Sequence, residues 1–184
     1  MNDVAIVIPA YKIDFFRDTL DSLDKQTCKK FTVYVGDDCS TNDFASLINE
    51  YRNKIDIVYH RFDSNLGGRD LVGQWERCIS LTQNEKWIWL FSDDDIIGSN
   101  CVDLFYKEIE NNSTAYDLYH FDVKVIDTVG DILRKAKLFP SLISSKKFYQ
   151  KKSSAQLDSF VVEYIFSRAI YNKVNGFQNF EMAW

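Results

Sequence analysis

The amino-acid sequence predicts an α/β fold in which one mostly parallel sheet is flanked by helices on both faces. Apolar runs with the length of buried strands alternate with segments whose apolar residues recur at helical spacing. This alternation continues over the first ~95 residues, and such chains form parallel sheets with right-handed crossovers. Polar loops follow several of these strands, and a parallel sheet brings such loops together at one edge.

The first strand is predicted at Val4–Ile8, a continuous apolar run of the kind that is buried in parallel sheets. Pro9 has no N–H group, so we expect the strand ladder to stop there and Ala10 and Tyr11 to lie in a loop. Apolar residues then recur at i, i+4 and i+7 across residues 14–25, which predicts a helix.

A second strand and helix are predicted next. Phe31–Val35 is apolar and leads into Gly36–Asp43, a polar stretch with adjacent carboxylates. Thr41 or Asn42 is expected to cap a helix that runs to about Tyr51, because one face of that segment is apolar.

The third and fourth strands flank a third helix. Residues 55–62 alternate partly between apolar and polar side chains, and Asn65–Asp70 after them includes two adjacent glycines. Paired glycines let a backbone approach a ligand closely, although a glycine turn without a ligand is commoner. An amphipathic helix is predicted from Leu71 to Thr82, and Trp87–Leu90 is expected to be a buried strand.

The stretch after this strand carries three adjacent carboxylates, Asp93, Asp94 and Asp95. They lie where open α/β sheets bind ligands, at the carboxyl end of a strand. Adjacent carboxylates repel one another unless a positive charge lies among them, and Mg²⁺ and Mn²⁺ prefer oxygen ligands. The acidic turn is therefore a candidate metal-bridged phosphate site, and the alternative is a turn that only caps the next helix.

The second half of the chain shows weaker patterns. A helix, two extended segments and a buried stretch are predicted at residues 102–109, 117–126, 132–139 and 159–166, in that order. Residues 144–154 are basic and polar, and they fit a solvated helix or mobile loop as well as a phosphate clamp. A short helix over 168–174 should end at Asn175 and Gly176, which are good helix stops.

Composition excludes several classes of protein. At 184 residues the chain fits one domain, and 46% of it is apolar. The 22 basic and 27 acidic residues give a net charge of −5, with no long basic block, so no nucleic acid polymer is expected as a partner. The four cysteines are widely spaced, which predicts buried free thiols and a reducing compartment.

The sequence also predicts a cytoplasmic protein. No run reaches the ~18 consecutive apolar residues of a membrane span. The start, Met1–Asp3, is acidic and leads straight into a strand, so it lacks the order of a signal peptide. Peripheral docking at the inner face of the cell membrane stays open.

Four motifs match, in order and spacing, those of the family-2 glycosyltransferases of the GT-A fold, which the chain resembles over nearly its whole length. They are Ile6–Tyr11, Gly36–Asp43, Asn65–Gly67 and Ser92–Asp95. The resemblance implies one GT-A-type domain, with a single Rossmann-like sheet, over residues 1–184. Residues 1–98 would form its nucleotide-sugar-binding half and residues 99–184 part of its acceptor-side half.

The resemblance implies contacts for the base and ribose of the donor. Pro9, Ala10 and Tyr11 would lie against the nucleobase and ribose, with Tyr11 as a stacking face. Asp38 would accept a hydrogen bond from the uracil N3–H group. Asp93 would face the ribose or the donor sugar.

Further implied contacts concern the phosphates and the metal. Asp94 would ligate a divalent metal, Mn²⁺ or Mg²⁺, that bridges the diphosphate, and Asp95 would hold a metal-bound water or cap the following helix. The loop that passes the nucleotide would be formed by Asn65, Gly67 and Gly68. Family members often carry Arg-Asn where this chain has Val72 and Gly73, and Asp where it has Ser92; Arg69 or Arg77 would supply the missing positive charge.

The implied activity is inverting transfer of a sugar from a UDP-sugar to a glycan or lipid-linked acceptor, as in surface polysaccharide biosynthesis. Direct displacement also needs a carboxylate base, which the family usually places after the stretch that resembles Gly176–Trp184. The base is therefore expected just beyond Trp184, in an acceptor half that these residues hold only in part. Glu163 and Glu181 do not match its position and are interpreted as surface residues.

Two other functions fit some of these features. A sugar-nucleotide pyrophosphorylase shares an acidic metal site, but its Gly-rich phosphate loop has no counterpart in Pro9–Ile13. A non-catalytic nucleotide-binding module would need the donor motifs and no base. Slow hydrolysis of a UDP-sugar would count against the module.

Overall fold

Strands and helices alternate along the chain in the computed structural model, which describes residues 2–111 and 116–179. The strands are β1 (Val4–Ala10), β2 (Phe31–Asp37), β3 (Ile57–Arg61), β4 (Trp87–Leu90), β5 (Leu118–His120), β6 (Lys124–Ile126), β7 (Ile132–Lys135) and β8 (Tyr164–Ser167). The helices are α1 (Phe16–Asp24), α2 (Phe44–Asn49), α3 (Leu71–Ile79), α4 (Cys101–Asn111), α5 (Ser145–Ser153) and α6 (Arg168–Lys173). A short 3-10 turn, Val161–Glu163, precedes β8.

The first four strands form the parallel part of a six-stranded sheet with the order β3-β2-β1-β4-β8-β5. β1 pairs in parallel with β2 and with β4, and β2 pairs in parallel with β3. β8 lies antiparallel between β4 and β5. The predicted mostly parallel sheet is therefore confirmed, and the carboxyl ends of β1 to β4 meet at one edge, called the carboxyl edge below. β6 and β7 pair only with each other.

Helices cover both faces of the sheet. Alternate residues of β1 belong to two apolar clusters: Val4, Ile6 and Ile8 pack with α1, α2 and α4, whereas Ala5 and Val7 pack with α3. All five side chains are fully buried. Since both faces of this strand are covered, its sequence is a continuous apolar run rather than an alternating one.

The predicted end of β1 at Pro9 is wrong. β1 continues to Ala10, and Pro9 lies opposite Gly36 of β2. The backbone O of Val7 accepts from Phe91 N, so by strand alternation Pro9 also faces the β4 side. Pairing with β4 ends at Val7, so the missing N–H of Pro9 interrupts no ladder bond.

The single strand predicted over 117–126 is also wrong. β5 ends at His120 and pairs with β8, whereas β6 begins at Lys124 and pairs with β7. Between them the ring of Phe121 stacks on Trp89, with centroids 5.2 Å apart, which holds Phe121 against the core. Strand-forming residues do not specify their pairing partner, and here the two ends of the segment join different sheets.

Three helix predictions have clear outcomes. The predicted cap of α2 at Thr41 or Asn42 is wrong, because Asp43 caps it by accepting a 3.0 Å hydrogen bond from Ser46 N. Residues 144–154, predicted to be a solvated helix or mobile loop, form α5, a helix with no buried residue. The acidic turn does not cap α4, since α4 begins only at Cys101.

Two expectations from composition concern thiols and membrane spans. All four cysteines are free, as predicted, but the prediction that they are buried is wrong for three of them: Cys78 is buried, whereas Cys28, Cys39 and Cys101 are half-buried. Within residues 2–111 and 116–179, no helix combines the length and apolar character needed to cross a membrane.

The stop predicted after α6 forms as expected and is held by α3. Asn175 and Gly176 have φ of 58° and 75°, and Glu76 of α3 accepts hydrogen bonds from Phe177 N at 2.6 Å and from the Tyr171 hydroxyl. A Cβ on Gly176 would lie 2.7 Å from both Glu76 carboxylate oxygens. This turn therefore needs glycine for its conformation and for its close approach to Glu76.

We expect Gly176→Ala to lower the free energy of unfolding by about 2 kcal/mol or more, because left-handed strain adds to displacement of Glu76. Urea unfolding measures the loss. Gly130→Ala is the matched control, because Gly130 has φ of 89° but no atom of the described residues lies within 4 Å of its Cβ position. Equal losses in the two variants would contradict the Glu76 contact.

Candidate functional site

The loops after β1, β2 and β4 are joined at the carboxyl edge by direct hydrogen bonds. The Asp93 carboxylate accepts from Tyr11 N and Lys12 N, both at 2.7 Å. The Ser40 hydroxyl donates to Tyr11 O at 2.7 Å. The structure thus brings together the β1 loop, the β2 loop and the acidic turn, three of the motifs that the sequence singles out.

The fourth motif joins through Asp38, whose carboxylate is buried. Its Oδ1 accepts from Leu66 N at 2.7 Å and from the Arg77 guanidinium, and its Oδ2 accepts from Gly67 N at 2.8 Å and Asn65 Nδ2 at 2.9 Å. Two donors occupy each oxygen. In this structure Asp38 therefore holds the β3–α3 loop against β2, and a nucleobase N–H could reach it only by replacing one of these donors.

The β3–α3 loop depends on close backbone approach. A Cβ on Gly67 would lie 2.9 Å from Asp38 Oδ2, and a Cβ on Gly68 would lie 2.9 Å from Asn65 Oδ1. The backbone N–H of Gly68 donates to that same Asn65 oxygen. The close approach predicted for the glycines thus has partners within the protein itself, the Asp38 carboxylate for Gly67 and the Asn65 side chain for Gly68.

The two candidate cations of this site, Arg77 and Arg69, differ in their contacts. Besides Asp38, its guanidinium donates to Ser64 O at 2.9 Å and lies 3.9 Å from the Phe62 ring centroid. Arg69, the other candidate cation, is exposed, and its guanidinium donates to Asn65 O at 3.3 Å. Arg77 is thus committed to the β3–α3 loop, whereas Arg69 is exposed to solvent.

The three carboxylates of the acidic turn have different environments. Asp93 holds the β1 loop, and Asp95 Oδ2 accepts from Ser92 N at 2.8 Å, which closes the turn on itself. Asp94 is exposed and forms no hydrogen bond or ion pair with the described residues. Burial raises the pKa of the Asp93 and Asp95 carboxyls above their ordinary values, although backbone hydrogen bonds oppose this.

These carboxylates suit a metal that is shared with substrate. Among residues 2–111 and 116–179, no group of three or more His, Cys, Asp or Glu side chains is placed to hold a metal ion. The turn offers the exposed Asp94 carboxylate, while Asp93 and Asp95 are engaged in hydrogen bonds with the backbone. That set of hard oxygen donors fits a divalent cation held by one or two carboxylates together with phosphates.

The remaining residues that were predicted to contact the sugar nucleotide differ in exposure. Ala10 is buried and Pro9 is half-buried, whereas the Tyr11 side chain is 49% exposed at the rim of the edge. Tyr11 therefore has a free ring face, and the backbone of Pro9 and Ala10 belongs to β1. Asp37, which the sequence does not separate from Asp38, is fully buried and accepts from Ser40 N at 2.8 Å and the Tyr59 hydroxyl at 2.6 Å.

On the acceptor side, the interpretation of Glu163 as a surface residue is wrong. Glu163 is 1% exposed, and its carboxylate accepts from Phe160 N at 3.2 Å. Burial raises the pKa of this carboxyl above its ordinary value. Glu181 and Trp184 lie outside the described residues.

Two surface depressions lie away from this site, at the amino-terminal edge of the parallel strands. They measure about 420 and 270 Å³, and Glu85 contributes to both. Glu85 is buried and accepts a 2.5 Å hydrogen bond from the Tyr34 hydroxyl, with Arg168 at 3.5 Å. Its carboxylate is satisfied by these structural contacts.

Comparison with known proteins gives consistent matches. The family model described as "Glycosyl transferase family 2" matches residues 5–174. The poly(ribitol-phosphate) beta-N-acetylglucosaminyltransferase TarS of Staphylococcus aureus strain Mu50 is 31% identical over an alignment of 134 residues, and the match covers 71% of this chain and 22% of that protein. An uncharacterized glycosyltransferase of Rickettsia felis is 24% identical over an alignment of 155 residues, and the match covers 77% of this chain and 24% of that protein.

Solved structures match over almost the whole chain. S. aureus TarS 1–349 in complex with UDP has a TM-score of 0.72 at 20% identity, covering 95% of this chain and 49% of that one. The mannosyltransferase PcManGT from Pyrobaculum calidifontis, in complex with GDP-Man and Mn²⁺, has a TM-score of 0.65 at 13% identity, covering 96% of this chain and 47% of that one. This chain therefore spans about a fifth of the curated relatives and about half of the solved chains.

Proposed function

The chain belongs to glycosyl transferase family 2 and has the GT-A fold, and from this premise we propose that its carboxyl edge binds a UDP-sugar as donor. The proposed reaction transfers the sugar to a glycan or lipid-linked acceptor, requires Mn²⁺ or Mg²⁺ and inverts the anomeric centre. Residues 1–98 supply the donor side in this proposal, and residues 99–184 contribute to the acceptor side.

One observation carries the proposal. Four loops that are distant in sequence are hydrogen-bonded into one continuous surface, with the Asp94 carboxylate and the Tyr11 ring exposed on it. A nucleoside diphosphate presents a planar base at one end, which can stack on an aromatic ring, and phosphates at the other. Tyr11 suits the ring, and Asp94 suits a metal on the phosphates.

A divalent metal bound at Asp94 would act as a Lewis acid that stabilises the charge growing on the leaving diphosphate. Other residues of the chain fix the position of the Asp94 carboxylate and of the loop beside it. Asp93 fixes the β1 loop beside the turn, and the Asp95–Ser92 hydrogen bond keeps the turn closed. The complex of the neighbour PcManGT with Mn²⁺ supports this part of the proposal.

Recognition of uracil is proposed to involve exchange at Asp38. Its carboxylate already has four donors, so the uracil N3–H would displace one of them, and Asn65 is the neighbour whose side chain can turn away most easily. Leu66, Gly67 and Arg77 would keep their bonds. The UDP and UDP-GlcNAc complexes of the TarS neighbours support a uridine donor.

The acceptor side is proposed to follow the Gly176 turn. Glu76 of α3 accepts a hydrogen bond from Phe177 N, so the chain just after the turn is fixed against α3. Inversion by direct displacement needs one carboxylate to take the proton of the acceptor hydroxyl. We place that base after the turn. The name of the S. aureus relative gives poly(ribitol-phosphate) as its substrate, which supports a polymeric acceptor and a role in polysaccharide biosynthesis.

The proposal is tested by calorimetric titration of UDP and of GDP into the chain, with and without Mn²⁺. We expect binding of UDP in preference to GDP, and we expect it to strengthen at least tenfold when Mn²⁺ is present, since Mg²⁺-type sites use the phosphates as ligands. GDP binding of equal strength would overturn the uridine assignment. UDP binding of equal strength with and without Mn²⁺ would overturn the metal assignment.

A further inference from the structure

The charges of the chain are distributed unevenly. Residues 132–153, called the basic segment below, contain seven of the 22 basic residues and none of the 27 acidic ones. The seven are Arg134, Lys135, Lys137, Lys146, Lys147, Lys151 and Lys152. The rest of the chain keeps 15 basic and 27 acidic residues, a net charge of −12. The segment is therefore cationic, whereas the rest of the chain is strongly anionic.

The same segment exposes large apolar side chains. Five of them are between 53% and 73% exposed: Ile132, Leu133, Leu138, Leu142 and Tyr149. All four residues of β7 are exposed, and α5 has no buried residue. Exposed apolar side chains interleaved with lysines are typical of surfaces that enter the interface of a bilayer.

The basic segment is attached to the body of the protein. The Phe139 ring lies 4.2 Å from the His120 ring of β5 and 5.9 Å from the Phe148 ring of α5. Arg134 pairs with Asp158 at 2.9 Å. These contacts tie both β7 and α5 to the chain around β5 and β8, so the segment and the sheet form one connected surface.

The segment leaves the sheet at the carboxyl edge. His120, the last residue of β5, pairs with Tyr164, the first residue of β8. β8 is antiparallel to β4, and Ile165 lies opposite Trp89 near the carboxyl end of β4. The chain between β5 and β8 therefore lies at the same edge as Asp94.

We propose that the basic segment docks the protein on an anionic phospholipid surface. Its lysines contact the lipid phosphates, and its exposed apolar side chains enter the interface. The anionic remainder of the chain is repelled by the same surface, which sets one orientation, with the basic segment toward the membrane. A phosphate polymer would be held by the lysines alone and would leave the five apolar side chains in water, so the lipid surface fits more of the observations.

Vesicle flotation of the full chain tests this surface. The probes are vesicles of phosphatidylcholine alone and vesicles in which about one third of the lipid is phosphatidylglycerol. We expect binding to the anionic vesicles only, weakening as salt is raised. Lys146→Glu/Lys147→Glu should reduce that binding more than tenfold. Leu138→Ser/Leu142→Ser, which keeps the charge, should reduce it several-fold.

The matched control is Lys25→Glu/Lys54→Glu, which changes the net charge equally at exposed lysines outside the segment. Its binding should stay within about twofold of the parent chain, since distant charges are screened. Circular dichroism confirms that each variant is folded. Equal loss in the control and in Lys146→Glu/Lys147→Glu would overturn the proposal.

Four other results would also overturn it. Equal binding to neutral vesicles would remove the role of charge, and full binding of the leucine variant would remove the role of the apolar side chains. Binding of inorganic polyphosphate without binding of vesicles would assign the segment to a polymer. A dimer of the parent chain that the leucine variant dissociates, with no vesicle binding, would assign the surface to a second copy.

Discussion

An Asp94→Ala variant is expected to bind UDP about a hundredfold more weakly than the parent chain when Mn²⁺ is present, since a metal that bridges carboxylate and diphosphate contributes several kcal/mol. Asp94 is the exposed carboxylate of the acidic turn and forms no hydrogen bond or ion pair with the described residues. Its removal should therefore cost the fold little and the metal site much. Calorimetric titration measures both affinities.

The same titration without metal separates metal binding by Asp94 from a general loss of UDP affinity. Parent and Asp94→Ala should then bind UDP equally, whereas Asp93→Ala should bind more weakly in both conditions, because Asp93 holds Tyr11 N and Lys12 N. Asp18→Ala removes an exposed carboxylate from α1 and serves as the control. Unchanged UDP affinity of Asp94→Ala in Mn²⁺ would remove Asp94 from the metal site.

The sheet and the position of the site follow from short-range patterns. β1 is buried on both faces and is therefore a continuous apolar run, and helices such as α1 bury one stripe. Strand ends in a parallel sheet converge, so the acidic turn could be placed beside the other polar loops before their contacts were known. Those contacts, such as Tyr11 N to Asp93, confirm the convergence.

Long-range partners could not be predicted in the same way. Arg77 and Asp38 are 39 positions apart, and Glu76 and Phe177 are 101 apart, and no periodicity relates such pairs. Glu76 lies in an amphipathic helix, and the sequence pattern does not distinguish a glutamate that binds a distant backbone N–H from one that faces solvent. Glu163 lies in a 3-10 turn too short for any periodic signal, and its burial arises from packing beside β8.

An Asp38→Asn variant is expected to lose about 3 kcal/mol of unfolding free energy, since it breaks a largely buried ion pair and places an NH₂ group among donors. This is the lower end of the usual range because the Arg77 side chain is 22% exposed. The β3–α3 loop should loosen with it, because Leu66 N and Gly67 N donate to different oxygens of Asp38 and asparagine keeps only one of them. Urea unfolding measures the stability, and titration below the transition measures UDP affinity, which should fall at least tenfold.

Asp43→Asn makes the same chemical change at an exposed helix cap, where asparagine caps as well as aspartate. Its stability and UDP affinity should stay within about 0.5 kcal/mol of the parent chain. A result for Asp38→Asn that matches this control would mean that the loop is held by its glycine backbone rather than by the carboxylate. A loss of UDP binding with full stability would instead assign Asp38 to the nucleobase alone. Loss of both is the outcome expected if one carboxylate organises the loop and meets the donor.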